Sequence, residues 1–163
     1  MVLGMPLATF TFLHVLISLV GIASGLIVLE RFFRNPTLGV SNVVFLITTI
    51  LTSVTGFLFP FKAFGPPHIV GVISLVVLAI ALFALHAGNL VGPWRWIYVC
   101  GAVLALYLNV FVAVVQSFDK IGRLRALAPT GSEPPFAITQ GIVLLIFIGV
   151  GIVALVRFRP PTA

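Results

Sequence analysis

LATFTFLHVLISLVGIASGLIVL, residues 7–29, decides the fold. The stretch carries no charge until Glu30 and Arg31 close it. Its length exceeds the roughly 20 helical residues that cross a hydrocarbon core about 30 Å thick. Four similar runs follow. Val43–Phe59 is closed by Pro60 and Lys62, and Ile69–Leu85 lies between Pro66–Pro67 and Gly88–Asn89. Trp96–Phe118 is closed by Asp119 and Lys120, and Phe136–Val156 by Arg157 and Arg159. The second and third reach spanning length once their flanking turns are included. The pattern predicts an all-α, polytopic transmembrane bundle of five helices, with spans near 7–29, 41–60, 68–88, 96–118 and 136–157. All belong to one domain over residues 1–163.

Composition points the same way. Hydrophobic residues make up 61% of the chain and charged residues 7%, against about 25% charged in a soluble domain. The net charge of +6 is not a nucleic-acid footprint, because the basic residues sit singly at helix ends and no basic run, zinc pattern or stacking motif accompanies them. The partner implied is the lipid bilayer. The first run is expected to be a retained helix and not a signal peptide: Met1–Thr9 holds no Lys or Arg, and no clean small-residue cleavage site precedes Glu30. The single Cys100 lies inside the fourth run, so an intrachain disulfide is excluded.

Aromatic rings mark the interfaces: Trp94 and Trp96 where the fourth helix enters, Phe32 and Phe33 where the first leaves. Five spans place the termini on opposite sides. The far side collects Arg31, Arg34, Arg95, Arg157 and Arg159; the Met1 side collects Lys62, Lys120, Arg123 and Arg125. The excess of basic residues makes the far side cytoplasmic and the N-terminus external.

Polar residues are not scattered. Thr11, His14, Ser18, Gly21 and Gly25 are spaced by three and four, so they share one face of the first helix. Gly21 and Gly25 form a small-xxx-small pair that admits another helix closely. Thr48, Thr52 and Thr55 line up on the second helix, Asn109 and Gln116 on the fourth, and Thr139 and Gln140 enter the fifth span. The ordinary role of Thr and Ser in such helices is a bond to their own backbone one turn earlier. In a five-span arrangement, however, His14, Thr52, Thr55, His68, Asn109, Gln116 and Gln140 all fall in the Met1-side half. The far half reads as aliphatic until His86, Asn89 and the arginines. A polar cavity on the Met1 side follows, lined by Thr11, Ser18, Thr52, Thr55, Asn109, Gln116 and Gln140.

The histidines decide what such a cavity holds. His14 is about 10 Å inside its span at 1.5 Å per residue and requires a hydrogen-bond partner or a metal. His68 opens the third helix on the same side; His86 lies near the opposite rim and reads as interfacial. His14 and His68 serve either as hydrogen-bonding residues or as the axial pair of a b-type haem, which needs imidazoles from facing helices and room between them. Two histidines are too few for a protein-only zinc site. Glu30, Asp119 and Glu133 lie at helix ends or in a loop, and no lysine is mid-span. This leaves no carboxylate relay for a proton-coupled transporter and no Schiff-base site. Neither a phosphate-binding glycine loop nor a nucleophile–base pair is present.

LTSVTGFLFP (51–60), PHIVG (67–71), WRWIY (94–98) and SEPPF (132–136) resemble stretches of small polytopic membrane proteins of bacteria to which no activity is attached. The resemblance implies a bacterial inner membrane and no functional residue. The readings that stand are a non-catalytic bundle, either an accessory subunit of a larger membrane complex or homo-oligomer or a small-ligand binder; a one-haem electron-transfer protein; and a small-solute transporter or pore. Reporter fusions at both termini check the topology. A periplasm-dependent reporter is expected to be active at the N-terminus and a cytoplasm-dependent one at the C-terminus; the reverse pattern would contradict the charge argument.

Overall fold

Proline and glycine set where the helices begin and end. The computed structural model describes residues 1–34, 37–60 and 65–160, so Lys62 lies outside the described residues. Six helices occur among them: α1 Leu7–Arg34, α2 Val40–Gly56, α3 Pro66–His86, α4 Pro93–Lys120, α5 Gly122–Leu127 and α6 Pro134–Arg157. The count of five is corrected by α5, a six-residue helix in the loop after α4. It is too short and too basic to register as an apolar run. Four helices, α1, α3, α4 and α6, are long and apolar enough to cross a membrane, and α2 is a shorter apolar helix of 17 residues.

The bounds have local causes. α1 continues past Leu29 because Glu30 and Arg34 pair one turn apart at 3.3 Å, and Arg31 and Arg34 sit favourably at a helix C-terminus. α2 stops at Gly56, three residues short of the apolar run's end, because Pro60 disfavours helical geometry in the residue before it. Phe57 and Leu58 close tight turns onto Val54 and Thr55 instead. α3, α4 and α6 each carry proline in their first turn, where the missing N–H has no partner to lose. The α3–α4 turn passes through Asn89, Leu90 and Gly92, all at positive φ.

α4 is the hub. It packs against α1, α3 and α6 and touches α2, while α1–α2 and α2–α3 complete the bundle. Its buried stripe is Tyr98, Val99, Ala102, Ala105, Leu106 and Asn109. Small residues bring the backbones together: Ala81, Ala84, Ala105 and Ala154 are fully buried. A methyl group on Gly101 would lie 3.0 Å from the Ala81 Cβ. The outward faces are apolar instead of charged, with Leu145 of α6 69% and Ile152 58% exposed. Patches of this extent suit lipid and not water.

Gly25 is the tightest point of the core. A Cβ there would meet Leu106 Cδ1 at 2.6 Å and the Phe45 ring at 2.9 Å, whereas one on Gly141 of α6 meets nothing within 4 Å. Gly25→Ala is therefore expected to lower unfolding stability in detergent by about 1–3 kcal/mol through overpacking. Gly141→Ala should cost nothing, because alanine gains up to about 1 kcal/mol in helix propensity. Thermal unfolding of the two variants checks the contrast, and equal stabilities would contradict it.

Candidate functional site

α2 supplies hydroxyls to three neighbours at once. Its face toward α1 runs antiparallel to the His14–Gly25 stripe. His14 Nδ1 lies 2.8 Å from Thr55 Oγ1, and further along a methyl on Gly21 would sit 3.2 Å from Thr48 Oγ1. The Thr55 hydroxyl is also 2.6 Å from the Leu51 carbonyl. A carbonyl can only accept, so the single hydroxyl proton goes there and His14 Nδ1 donates to Thr55. That leaves Nε2 with its lone pair. Phe59 stands edge-on to the imidazole, with centroids 5.1 Å apart, and against Phe10 at 4.9 Å.

Toward α4, Thr49 accepts from Asn109 Nδ2 at 3.2 Å; both are buried, and Gly21 closes over them. Toward α3, the Ser53 and Ser74 hydroxyls are hydrogen-bonded at 3.1 Å. α6 joins through Gln140, whose Nε2 donates to the Phe111 carbonyl at 3.1 Å. The Met1-side half thus brings together His14 with Thr55, Asn109 with Thr49, and Gln140 with the backbone of α4. Thr52 Oγ1 and Gln140 Oε1 are buried without a hydrogen-bond partner.

The remaining predicted positions are more ordinary. Thr11 donates to the Leu7 carbonyl at 2.8 Å, Ser18 is half-buried, and Gln116 is exposed one turn from Lys120 at the end of α4. Gln116 therefore stands apart from the interior group, as its nearness to the interface explains. The same self-bonding holds for Thr48, onto the Val44 carbonyl, and for Thr139, onto that of Pro135. His68 is a capping residue: its Nδ1 accepts from the Gly65 N–H at 3.2 Å, and its ring lies against Phe57. His86 is exposed at the end of α3.

The far half is not aliphatic. Tyr98, fully buried, donates to Asn42 Oδ1 across the α2–α4 contact. Arg95 Nη1 donates to the carbonyls of Leu155, at 2.9 Å, and Phe158. These groups were missed because each stands within two turns of an apparent helix end, where polar residues ordinarily face water. The signal that could have found them is their shared depth: Asn42 and Tyr98 both follow far-side helix starts.

Among the described residues α1 and α3 share no extensive packed interface, and His14 bonds Thr55 while His68 bonds the Gly65 N–H, so the arrangement gives the b-type haem reading no support. Among the described residues no three His, Cys, Asp or Glu side chains gather as a metal site. The space between Gly25, Phe45, Ala102 and Leu106 is too small for a water molecule. The larger hollow, about 340 Å³, is an open apolar groove between α3 and α4 lined by Val77, Trp96, Cys100 and Gly101. No protein family, curated protein or solved structure matches the chain.

The polar pairs differ in what their loss exposes. Thr55→Val removes an interhelical bond in an apolar surrounding, a loss of roughly 0.6–1.7 kcal/mol. Tyr98→Phe leaves the buried Asn42 carbonyl without its donor and is expected to cost about 1–3 kcal/mol. Unfolding in mixed detergent micelles measures both; a Tyr98→Phe variant as stable as the parent would contradict the structural role assigned to the pair.

Proposed function

We propose that the protein is an integral membrane protein of five spans, α5 lying outside them, that acts as a non-catalytic accessory subunit of a larger membrane assembly. The bacterial inner membrane, an external N-terminus and a cytoplasmic C-terminus belong to the same proposal. The observation that carries it is how the interior polar groups are used. Asn109, Thr49, Ser53, Ser74, Tyr98, Asn42 and Arg95 are bonded across helices or to a neighbouring backbone. Their chemistry is taken up by holding the helices together. The hydrogen bonds that fix one bundle geometry supply the rigidity an accessory subunit needs.

A second reading, a small-ligand binder, is favoured by one observation. Thr52 Oγ1 and Gln140 Oε1 are buried in the Met1-side half without a partner, and buried polar atoms are ordinarily satisfied. A small polar ligand would satisfy either atom, Thr52 Oγ1 on α2 or Gln140 Oε1 on α6.

Two measurements test the proposal on the purified full-length chain. The protein is expected to stay with membranes through alkaline carbonate washing, and to be colourless in detergent, with no Soret band. Release by carbonate would overturn the membrane-spanning reading. A Soret band lost in His14→Ala would replace the accessory-subunit reading with the cytochrome one.

A further inference from the structure

Helix α5 has a composition that neither the bundle nor its core requires. None of its residues is buried, and among the described helices the one it packs against is α4. Its sequence is GRLRAL, between Ile121 and Ala128. Ile121 is 50% and Leu127 56% exposed. Leu124 and Leu127 are three positions apart and share a face; Arg123 borders that face beside Leu127, and Arg125 lies about 100° round the helix from Leu124 on its other side. Lys120 closes α4 immediately before.

Position in the fold decides what this surface meets. α4 leaves the apolar region at Phe118, and α5 begins after the single residue Ile121. One residue reaches only about 3.5 Å, so α5 stays at the membrane boundary. The chain returns to the same boundary at Pro134, where α6 starts.

The charges of this segment are unbalanced in space. Asp119 pairs with Lys120 at 3.5 Å. Glu133 accepts from the Thr130 N–H at 3.0 Å, the Thr130 hydroxyl at 2.9 Å and the Ser132 N–H at 3.1 Å. The Thr130 backbone N–H, foremost among these, holds its carboxyl below the usual carboxylate range. Both acidic groups are thus engaged elsewhere. Among the described residues no carboxylate stands within ion-pair distance of Arg123 or Arg125.

We infer that α5 is an interfacial anchor that binds the phosphate-bearing headgroups of anionic phospholipids, with Leu124 and Leu127 entering the acyl boundary and Arg123 and Arg125 contacting phosphate. Charge complementarity supplies the occupant: two unpaired guanidiniums flank an apolar strip at headgroup depth, and guanidinium matches phosphate bidentately. An amphipathic helix with basic flanks lies in the membrane plane for the same reason. The inference rests on the membrane-spanning reading of α4.

The full-length chain is labelled at Leu127→Cys, in a Cys100→Ala background, with an environment-sensitive fluorophore and reconstituted into two kinds of vesicle. One is phosphatidylcholine alone; the other also contains phosphatidylglycerol. Emission is expected to shift to the blue when phosphatidylglycerol is present. Arg123→Gln with Arg125→Gln should abolish the shift, and Arg123→Lys with Arg125→Lys should keep most of it. A basic side chain at an anionic surface contributes roughly fivefold in binding. Retention of phosphatidylglycerol over phosphatidylcholine in native mass spectrometry should accordingly fall roughly twenty-five-fold in the glutamine pair. Equal emission in the two vesicles, or undiminished retention in the glutamine pair, would overturn the inference and leave the membrane reading intact. A chain that does not float with vesicles of either composition would overturn both.

Discussion

Asn109 has to be paired. It lies near the middle of α4, buried, and an amide left unsatisfied in an apolar interior costs several kcal/mol. Its partner, Thr49, comes from a different helix, and Gly21 of a third lies directly over the pair, where a Cβ would stand 3.5 Å from each. Three helices therefore meet at one hydrogen bond. The contacts on the far side of this point follow: Gly25 admits Phe45 and Leu106, and the bundle narrows around alanines toward Tyr98. Apolar packing alone, between helices immersed in equally apolar lipid, would select no such register.

The same constraint explains the division of labour among the helices. α2 is the shortest of the five apolar helices and the richest in hydroxyls. Several of these bond their own backbone first and a neighbour second, as Thr55 and Ser53 do. This double use lets α2 bond α1, α3 and α4 at once, while Ser41 Oγ and Thr52 Oγ1 are its buried hydroxyls left without a partner. α6 is the opposite case. It brings little beyond Gln140 and Ala154 into the interior, and its far end is tied to Arg95 through main-chain carbonyls instead of side chains.

The five apolar helices could be read from the sequence because hydrocarbon imposes length and composition, both of which are local properties. α5 could not, since six residues at an interface carry no periodic signature long enough to stand out. The extension of α1 to Arg34 depended on an ion pair four residues apart, a weak signal beside the charge that seemed to end the span. Within the site, spacing put His14, Gly21 and Gly25 on one face, and that face does lie against α2. The choice of partners was out of reach: His14 meets Thr55 and Phe59, while His68 turns to Gly65 and Phe57. A helical wheel gives the direction of a side chain but not the rotation of the neighbouring helix. Asn42 and Tyr98 were hidden for a related reason, since nearness to a helix end suggests water when the neighbour's identity is unknown.

The connectivity has a consequence for biogenesis. α1–α2 and α3–α4 are adjacent in the chain and in space, so each pair can leave the insertion machinery as a hairpin whose contacts are already local. α6 packs on α4, the apolar helix before it in the chain, but also on α1. Its seat, on α4 and α1, exists only after both hairpins have met, and the Arg95 donors that cap its last carbonyls were synthesised some sixty residues earlier. Assembly is thereby ordered by geometry, with the last helix made also the last that can dock. A ribosome paused before Pro134 would hold an intermediate of four apolar helices whose α4 still shows to the lipid the Phe111 carbonyl that Gln140 later engages.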